Sequence, residues 1–316
     1  MTAASAQSTV TLSGVYSFSY QTNLTDTVGN KTFAPTTAQA ATNTDSAVAA
    51  NGQGFAVTDA SFKLAAVEDL GGGLKASFDY TIETGAYRGS AATRADSGIA
   101  VSGGFGAFAM RNTRHSDLIT SIASPAISLP DNLYGSGIVS QSGIDTVAYT
   151  APTIAGFTAS VTYAEGNDGS IDLPTAAATA KSASILGVNY ANGPLSVTYA
   201  MKAASLNASS TLKQNQNELA VSYDLGVAKV GFAYDDKTGT AATDKSATGY
   251  SITVPVGAVS LGAQMFKRGA LKHTDFGVSY AFSKRTILSA AMGKIAGNAT
   301  AINNGNQSRI KLAHSF

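Results

Sequence analysis

Apolar and polar residues alternate with a period of two along much of the chain. Val10, Leu12, Gly14, Tyr16, Phe18 and Tyr20 are interleaved with Thr11, Ser13, Val15, Ser17 and Ser19. Successive side chains of a strand face opposite ways, so this segment predicts a strand with one apolar face and one small, polar face. Leu74, Ala76, Phe78, Tyr80 and Ile82 are interleaved in the same way with Lys75, Ser77, Asp79 and Thr81. The pattern returns at 157–163, 195–201, 219–223, 230–234, 250–254 and 276–280. It ends with Ile310, Leu312, His314 and Phe316 against Arg309, Lys311, Ala313 and Ser315.

The connections fall into two alternating classes. Short ones lie at 68–73, 103–106, 151–156, 191–194, 224–226, 255–257 and 283–286. Long polar ones lie at 21–53, 83–95, 114–141, 166–182, 202–216, 235–247 and 295–307, with 267–271 a shorter member of that class. Together they predict sixteen strands. Short turns at one end and long loops at the other fit a transmembrane, all-β, antiparallel up-and-down barrel. Closure is required there, because an open sheet edge in hydrocarbon leaves backbone groups unpaired. Tyr20, Tyr149, Tyr163, Tyr199 and Tyr280 close apolar faces near strand ends. That position suits a ring with one wet edge at a membrane–water interface.

Composition sharpens this reading. Only 13% of residues are charged, about half the usual 25% of soluble domains. Lysine or arginine on the lipid face near the midplane costs about 2–4 kcal/mol, which explains the shortfall. Lys63, Lys75, Asp79, Lys229, Arg309 and Lys311 all fall on the polar parity of their strands. A net charge of +1 gives no basic excess for binding nucleic acid through phosphates. Zero cysteines exclude disulfides, thiolate nucleophiles and cysteine metal sites. No run of about 18 apolar residues marks a membrane helix. Ala4-Ser5-Ala6 fits the small-residue pattern before a signal cleavage site. Residues 1–6 are therefore read as a signal remnant and 7–316 as a single barrel domain.

The sequence resembles the general, trimeric, 16-stranded porins of Gram-negative outer membranes. The likeness is carried by Gln7-Ser8-Thr9-Val10-Thr11-Leu12 with Gly14, by Glu68-Asp69-Leu70-Gly71-Gly72-Gly73-Leu74-Lys75-Ala76 with Phe78, and by Ser102-Gly103-Gly104-Phe105-Gly106. It continues through Asp145, Val147, Tyr149, Pro152, Gly156 and Phe157 to Tyr280-Ala281-Phe282-Ser283-Lys284-Arg285-Thr286 and His314-Ser315-Phe316. The resemblance implies a homotrimer in the outer membrane, in contact with lipid and lipopolysaccharide. It also implies that Phe316 is a terminal signal for the barrel assembly machinery. The arginines common in this family on the second, fourth and sixth strands are replaced by Ser61, Ala95 and Ser142, so strong anion selectivity is not implied.

The resemblance further implies that the loop at about 114–141 folds into the barrel as a constriction. Ile119, Ile122, Ile127, Leu129 and Leu133 are too apolar for a solvated loop. They fit packing on the inner wall, or packing over a neighbouring subunit. Carboxylates facing cations across a pore set its selectivity. The candidate cations are Lys63, Lys75, Arg94, Arg111 and Arg114. The candidate anions are Asp117 and Asp131 on the loop, with Asp79 and Glu83 on the wall.

No cofactor or metal is expected, since His115, His273 and His314 lack ligand spacing. Asn167-Asp168-Gly169 and Asp235-Asp236 read as solvated loop carboxylates rather than calcium ligands. No nucleophile elbow between strand and helix is present, and Gly71-Gly72-Gly73 is a turn rather than a phosphate loop. The expected function is passive diffusion of small hydrophilic solutes and ions through a water-filled channel, with weak charge selectivity and no catalysis. A substrate-specific channel and a barrel adhesin acting through its long loops are the alternatives.

Overall fold

In a computed structural model, described for residues 8–22, 53–83, 93–129, 141–165, 180–206, 212–239, 246–297 and 305–316, the chain forms a closed antiparallel barrel of 16 strands. The first eight are β1 (Ser8–Thr22), β2 (Gln53–Gly71), β3 (Leu74–Glu83), β4 (Thr93–Gly103), β5 (Gly106–Ser116), β6 (Gln141–Thr150), β7 (Phe157–Glu165) and β8 (Ala180–Asn192). The remaining eight are β9 (Leu195–Leu206), β10 (Leu212–Asp224), β11 (Lys229–Gly239), β12 (Ser246–Val256), β13 (Val259–Arg268), β14 (Leu271–Ala281), β15 (Thr286–Ala296) and β16 (Gly305–Ser315). Each strand pairs with its chain neighbours, and β1 closes the ring on β16.

The alternation sorts side chains by solvent. Leu12 and Met292 on the outer face keep 60% and 65% of their exposure, while Ser17 and Gln21 on the inner face keep none. Large apolar groups outside and small polar groups inside invert the soluble arrangement, as hydrocarbon requires. The seam closes through the terminal residue. Phe316 N–H donates to the Gly14 carbonyl at 3.0 Å, and Gly14 N–H donates back at 3.1 Å. The Phe316 ring then lies where a Gly14 side chain would be.

The short turns occur where the sequence placed them. Gly71, Gly72 and Gly73 all hold positive φ, at 81°, 62° and 81°, and carry the β2–β3 turn at the cost of no side-chain clash. Several ladders extend further than the apolar pattern indicates. β9 and β10 pair out to Leu206 and Leu212, and β11 reaches Gly239. Residues read from sequence as loop, including Lys202, Gln216, Asp235 and Lys237, are thus strand residues. Backbone pairing continues past the point where apolar residues stop. The proposed signal remnant, 1–6, lies outside the described residues.

Candidate functional site

Two clusters of charge occupy the inner wall. The first spans β2, β3 and β5. Asp79, Gly98 and Arg111 stand in one cross-strand row. Gly98 leaves the space that Arg111 needs to cross β4, since a Cβ there would sit 2.7 Å from Arg111 Cγ. Arg111 Nη1 and Nη2 therefore reach Asp79 Oδ1 and Oδ2 at 2.7 and 2.8 Å, a bidentate pair. Lys63 Nζ joins from β2 at 3.2 Å from Asp79. Around the seam, Lys311 lies 3.3 Å from Asp59, whose carboxylate also accepts from Ser17 at 2.6 Å. Arg309 donates to Gln21 at 2.9 Å.

The second cluster is the buried one, where the segment after β5 lies on the inner parity of β10 to β15. Asp117 retains 3% exposure and sits among three cations: Lys237 at 3.0 Å, Lys202 at 3.4 Å and Arg268 at 3.7 Å. Lys202 also pairs with Glu218 at 2.5 Å, and Arg268 pairs with Asp235. Gln216 Nε2 donates to Asp117 at 2.8 Å and to Asp235 at 2.9 Å. Glu218 accepts the backbone N–H of Leu118 at 2.7 Å, which opens a single 3₁₀ turn at Leu118–Ile122. Desolvated charges persist only when paired with good geometry and further hydrogen bonds, and this network supplies both.

Beyond the turn, the wall is hollowed by glycine. Gly231, Gly249, Gly262, Gly277 and Gly293 lie on the inner parity, one per strand from β11 to β15. An added Cβ would meet Ile122 Cβ at 2.8 Å from Gly231, Ile119 Cγ1 at 3.2 Å from Gly249 and Ala126 Cβ at 3.1 Å from Gly262. From Gly277 it would meet Ile127 Cα at 3.0 Å, and from Gly293 Leu129 Cδ1 at 2.6 Å. Residues 119–129 thus pass over a row of five glycines. Polar groups fix the register. Ser124 N–H donates to Gln264 Oε1 at 3.0 Å, and Ser124 Oγ bonds Thr253 Oγ1 at 2.7 Å. Ser251 Oγ donates to the Ile122 carbonyl. Gln264 Nε2 continues to Asp275 at 3.0 Å, and Asp275 holds buried His273 at 3.0 Å.

Of the residues singled out from sequence, the fold brings Lys63, Asp79 and Arg111 together. Lys75 stands apart at the turn end of β3, opposite Asp69 and Ser102. Glu83 is half-buried at the other end, opposite Ser61 and Thr93. Arg94 and Arg114 lie on strands opposite Ile82 and Gly143. Asp131 lies outside the described residues. Asp117 departs from expectation: it does not face open water across from wall cations but is enclosed by its own set of them. Asp235 likewise is no solvated loop carboxylate; it is fully buried in β11.

The residues missed were Lys202, Gln216, Glu218, Lys237, Arg268 and the glycine track. Their signal was parity. Glu218 and Gln216 continue the polar face opposite Leu219, Val221 and Tyr223, and each track glycine flanks an outward Tyr, Phe, Leu, Val or Met.

The sequence matches the family described as Gram-negative porin over residues 2–300. No curated relative matches it. Among solved structures, an anion-selective porin from Comamonas acidovorans superposes with a TM-score of 0.65 at 20% identity, covering 98% of this chain and 100% of that one. The in-vitro folded trimer form of OmpT, an outer membrane protein of Vibrio cholerae, gives 0.66 at 13% identity over 98% and 99%. A porin variant from Rh. blastica gives 0.65 at 11% identity over 98% and 100%.

Proposed function

Because the chain belongs to the Gram-negative porin family and forms a 16-stranded outer-membrane barrel for passive diffusion, we propose that it is a weakly ion-selective, homotrimeric general channel narrowed by residues 117–129. The observation that carries this reading is the pairing of inner-wall charges. Lys63 and Arg111 share Asp79, Lys311 meets Asp59, and Asp117 is ringed by Lys202, Lys237 and Arg268. Cations and anions offset one another locally, so a passing ion meets short-range fields of both signs rather than a ring of one sign. The Comamonas porin is anion-selective; each of the cations named here has a carboxylate partner. The trimer form of the Vibrio protein supports three-fold assembly of this chain. No catalytic step enters this reading.

Planar-bilayer recording tests it. Conductance steps in groups of three and a zero-current potential near zero in a salt gradient are expected. A potential approaching the limit for either ion sign overturns weak selectivity. Phe316 is assigned a second role as an assembly signal, resting on the family resemblance of an aromatic preceded by Ile310, Leu312 and His314 at alternate positions. Deleting it should lower the amount of assembled barrel in cells while leaving the conductance of what does assemble unchanged.

A further inference from the structure

The two sides of the lumen differ in where their charges lie. Residues 118–129, which cover one side, include no ionisable group. Ser121 and Pro125 of this segment are exposed, and Thr120, Ala123, Ile127 and Ser128 are half-buried. A segment enclosed by the barrel is exposed to the lumen, so this side offers a passing solute hydroxyls, a pyrrolidine ring and an isoleucine. The ionic groups of the wall that the segment covers are paired with one another in the dry network: Lys202, Lys237 and Arg268 against Asp117, Glu218 and Asp235. Lys229 is exposed on the same parity, but it opens β11 at the turn end.

The wetter pairs stand across from it. In the ring of strands, β3 and β5 lie eight positions from β11 and β13, half the circumference. The levels match too. Asp79 lies five residues from Leu74 and Arg111 five from Gly106, at the turn ends of β3 and β5. Beneath the segment, Gly262 lies three residues from Val259 and Gly277 four from Ala281, at the turn ends of β13 and β14. On the charged side, Lys63, Arg111 and Lys311 each lie within 3.3 Å of a carboxylate on that same side. Such pairs cancel well inside the roughly 8 Å screening length of physiological salt, so their field runs along the wall and does not cross the lumen. Water in front of the uncharged segment is therefore not aligned between opposing charges. Displacing poorly ordered water with an apolar group favours a ligand, whereas displacing well-ordered water disfavours it.

We infer that the aperture preferentially admits small zwitterions with an apolar side chain, such as α-amino acids carrying branched aliphatic groups. The aliphatic group passes along Pro125 and Ile127. The ammonium and carboxylate meet Asp59 and Lys63 on the opposite wall, whose side chains each keep 45% of their exposure and so stay open to a solute. A solute of one charge sign gains from only one of these, and an uncharged polyol gains nothing from the apolar contact. The inference rests on the reading that residues 117–129 narrow the channel, and it names the solutes which that aperture favours.

L-Valine and L-threonine share one shape and differ by a methyl in place of a hydroxyl, which makes them the probes. Their entry into liposomes containing the purified protein is read by swelling, each alone at equal concentration. Valine should enter about twofold faster, since one-sided contact supplies about half the free energy behind the roughly fourfold that full burial of a methylene is worth. S121D puts a carboxylate on the segment across from Lys63 and Arg111, which creates the missing cross-lumen field, and threonine should then lead. P125D, at the second exposed position, should do the same and keeps the test available should S121D not fold. Threonine matching or outpacing valine through the wild-type protein overturns the inference, as does valine still leading through a folded aspartate variant. Bilayer conductance of the same preparations is read separately. Entry of neither amino acid through a conducting barrel overturns this inference alone; loss of conductance as well overturns the channel reading with it.

Discussion

Asp79 and Asp117 are aspartates inside the barrel, each shared by more than one cation, but they live in different media. The Asp117 side chain retains 4% of its exposure, against 10% for Lys202, 4% for Lys237 and 8% for Arg268. Asp79 retains 15%, and its partners Lys63 and Arg111 retain 45% and 33%. The first group has been taken out of water by the segment that lies over it. The second still touches the lumen and is screened by it. One charge cluster therefore holds a piece of chain in place, and the other meets passing ions. Sequence gives both the same appearance, a carboxylate with basic residues nearby.

This contrast orders the expected effects. Asp117→Asn should be the most damaging, because it leaves Lys237 and its neighbours desolvated with less opposing charge; breaking a buried pair by removing one partner costs about 3–5 kcal/mol. The thermal midpoint of the barrel should fall, and protease should cut the 117–129 region. A variant as stable as wild type would break the distinction drawn here.

Gly262→Val comes next. The added side chain would press into Ser124 and Ala126, and overfilling a packed site costs about 1–3 kcal/mol. Noisier, larger single-channel currents are expected as the segment lifts from its track, with the barrel still assembled. Unchanged current would show that the track does not set the aperture.

Asp79→Asn should alter stability least, within about 1 kcal/mol, as for other partly exposed pairs. Its effect should appear in selectivity instead. Lys63 and Arg111 lose their shared anion, so the zero-current potential should move toward anions. An unchanged potential would place the Asp79 cluster outside the ion path.

The barrel was legible because its rule is local. Val10 to Tyr20 alternate, and so do Leu74 to Ile82, and each strand reveals its lipid face without reference to any other. The inner-wall site was legible only in part. Lys63, Asp79 and Arg111 stood out as charges on predicted strands, but that Asp79 and Arg111 meet depends on Gly98 leaving room between them. The network around Asp117 escaped notice for a different reason. Lys202, Gln216, Asp235 and Lys237 lie past the apolar stretches that mark strands, where backbone pairing continues without the apolar alternation.

The amino-acid order by itself determined which face of each strand meets lipid, the number of strands, the closed antiparallel topology and the scarcity of charge. All of these follow from a two-residue period and the cost of polar groups in hydrocarbon. Tertiary structure alone decided which polar residues stay wet. Asp117 and Glu218 lie 101 residues apart in sequence, from 117 to 218, and share one dry network because the chain folds back across strands that no local pattern connects. Burial of a charge depends on what covers it, and the cover here comes from a distant part of the chain.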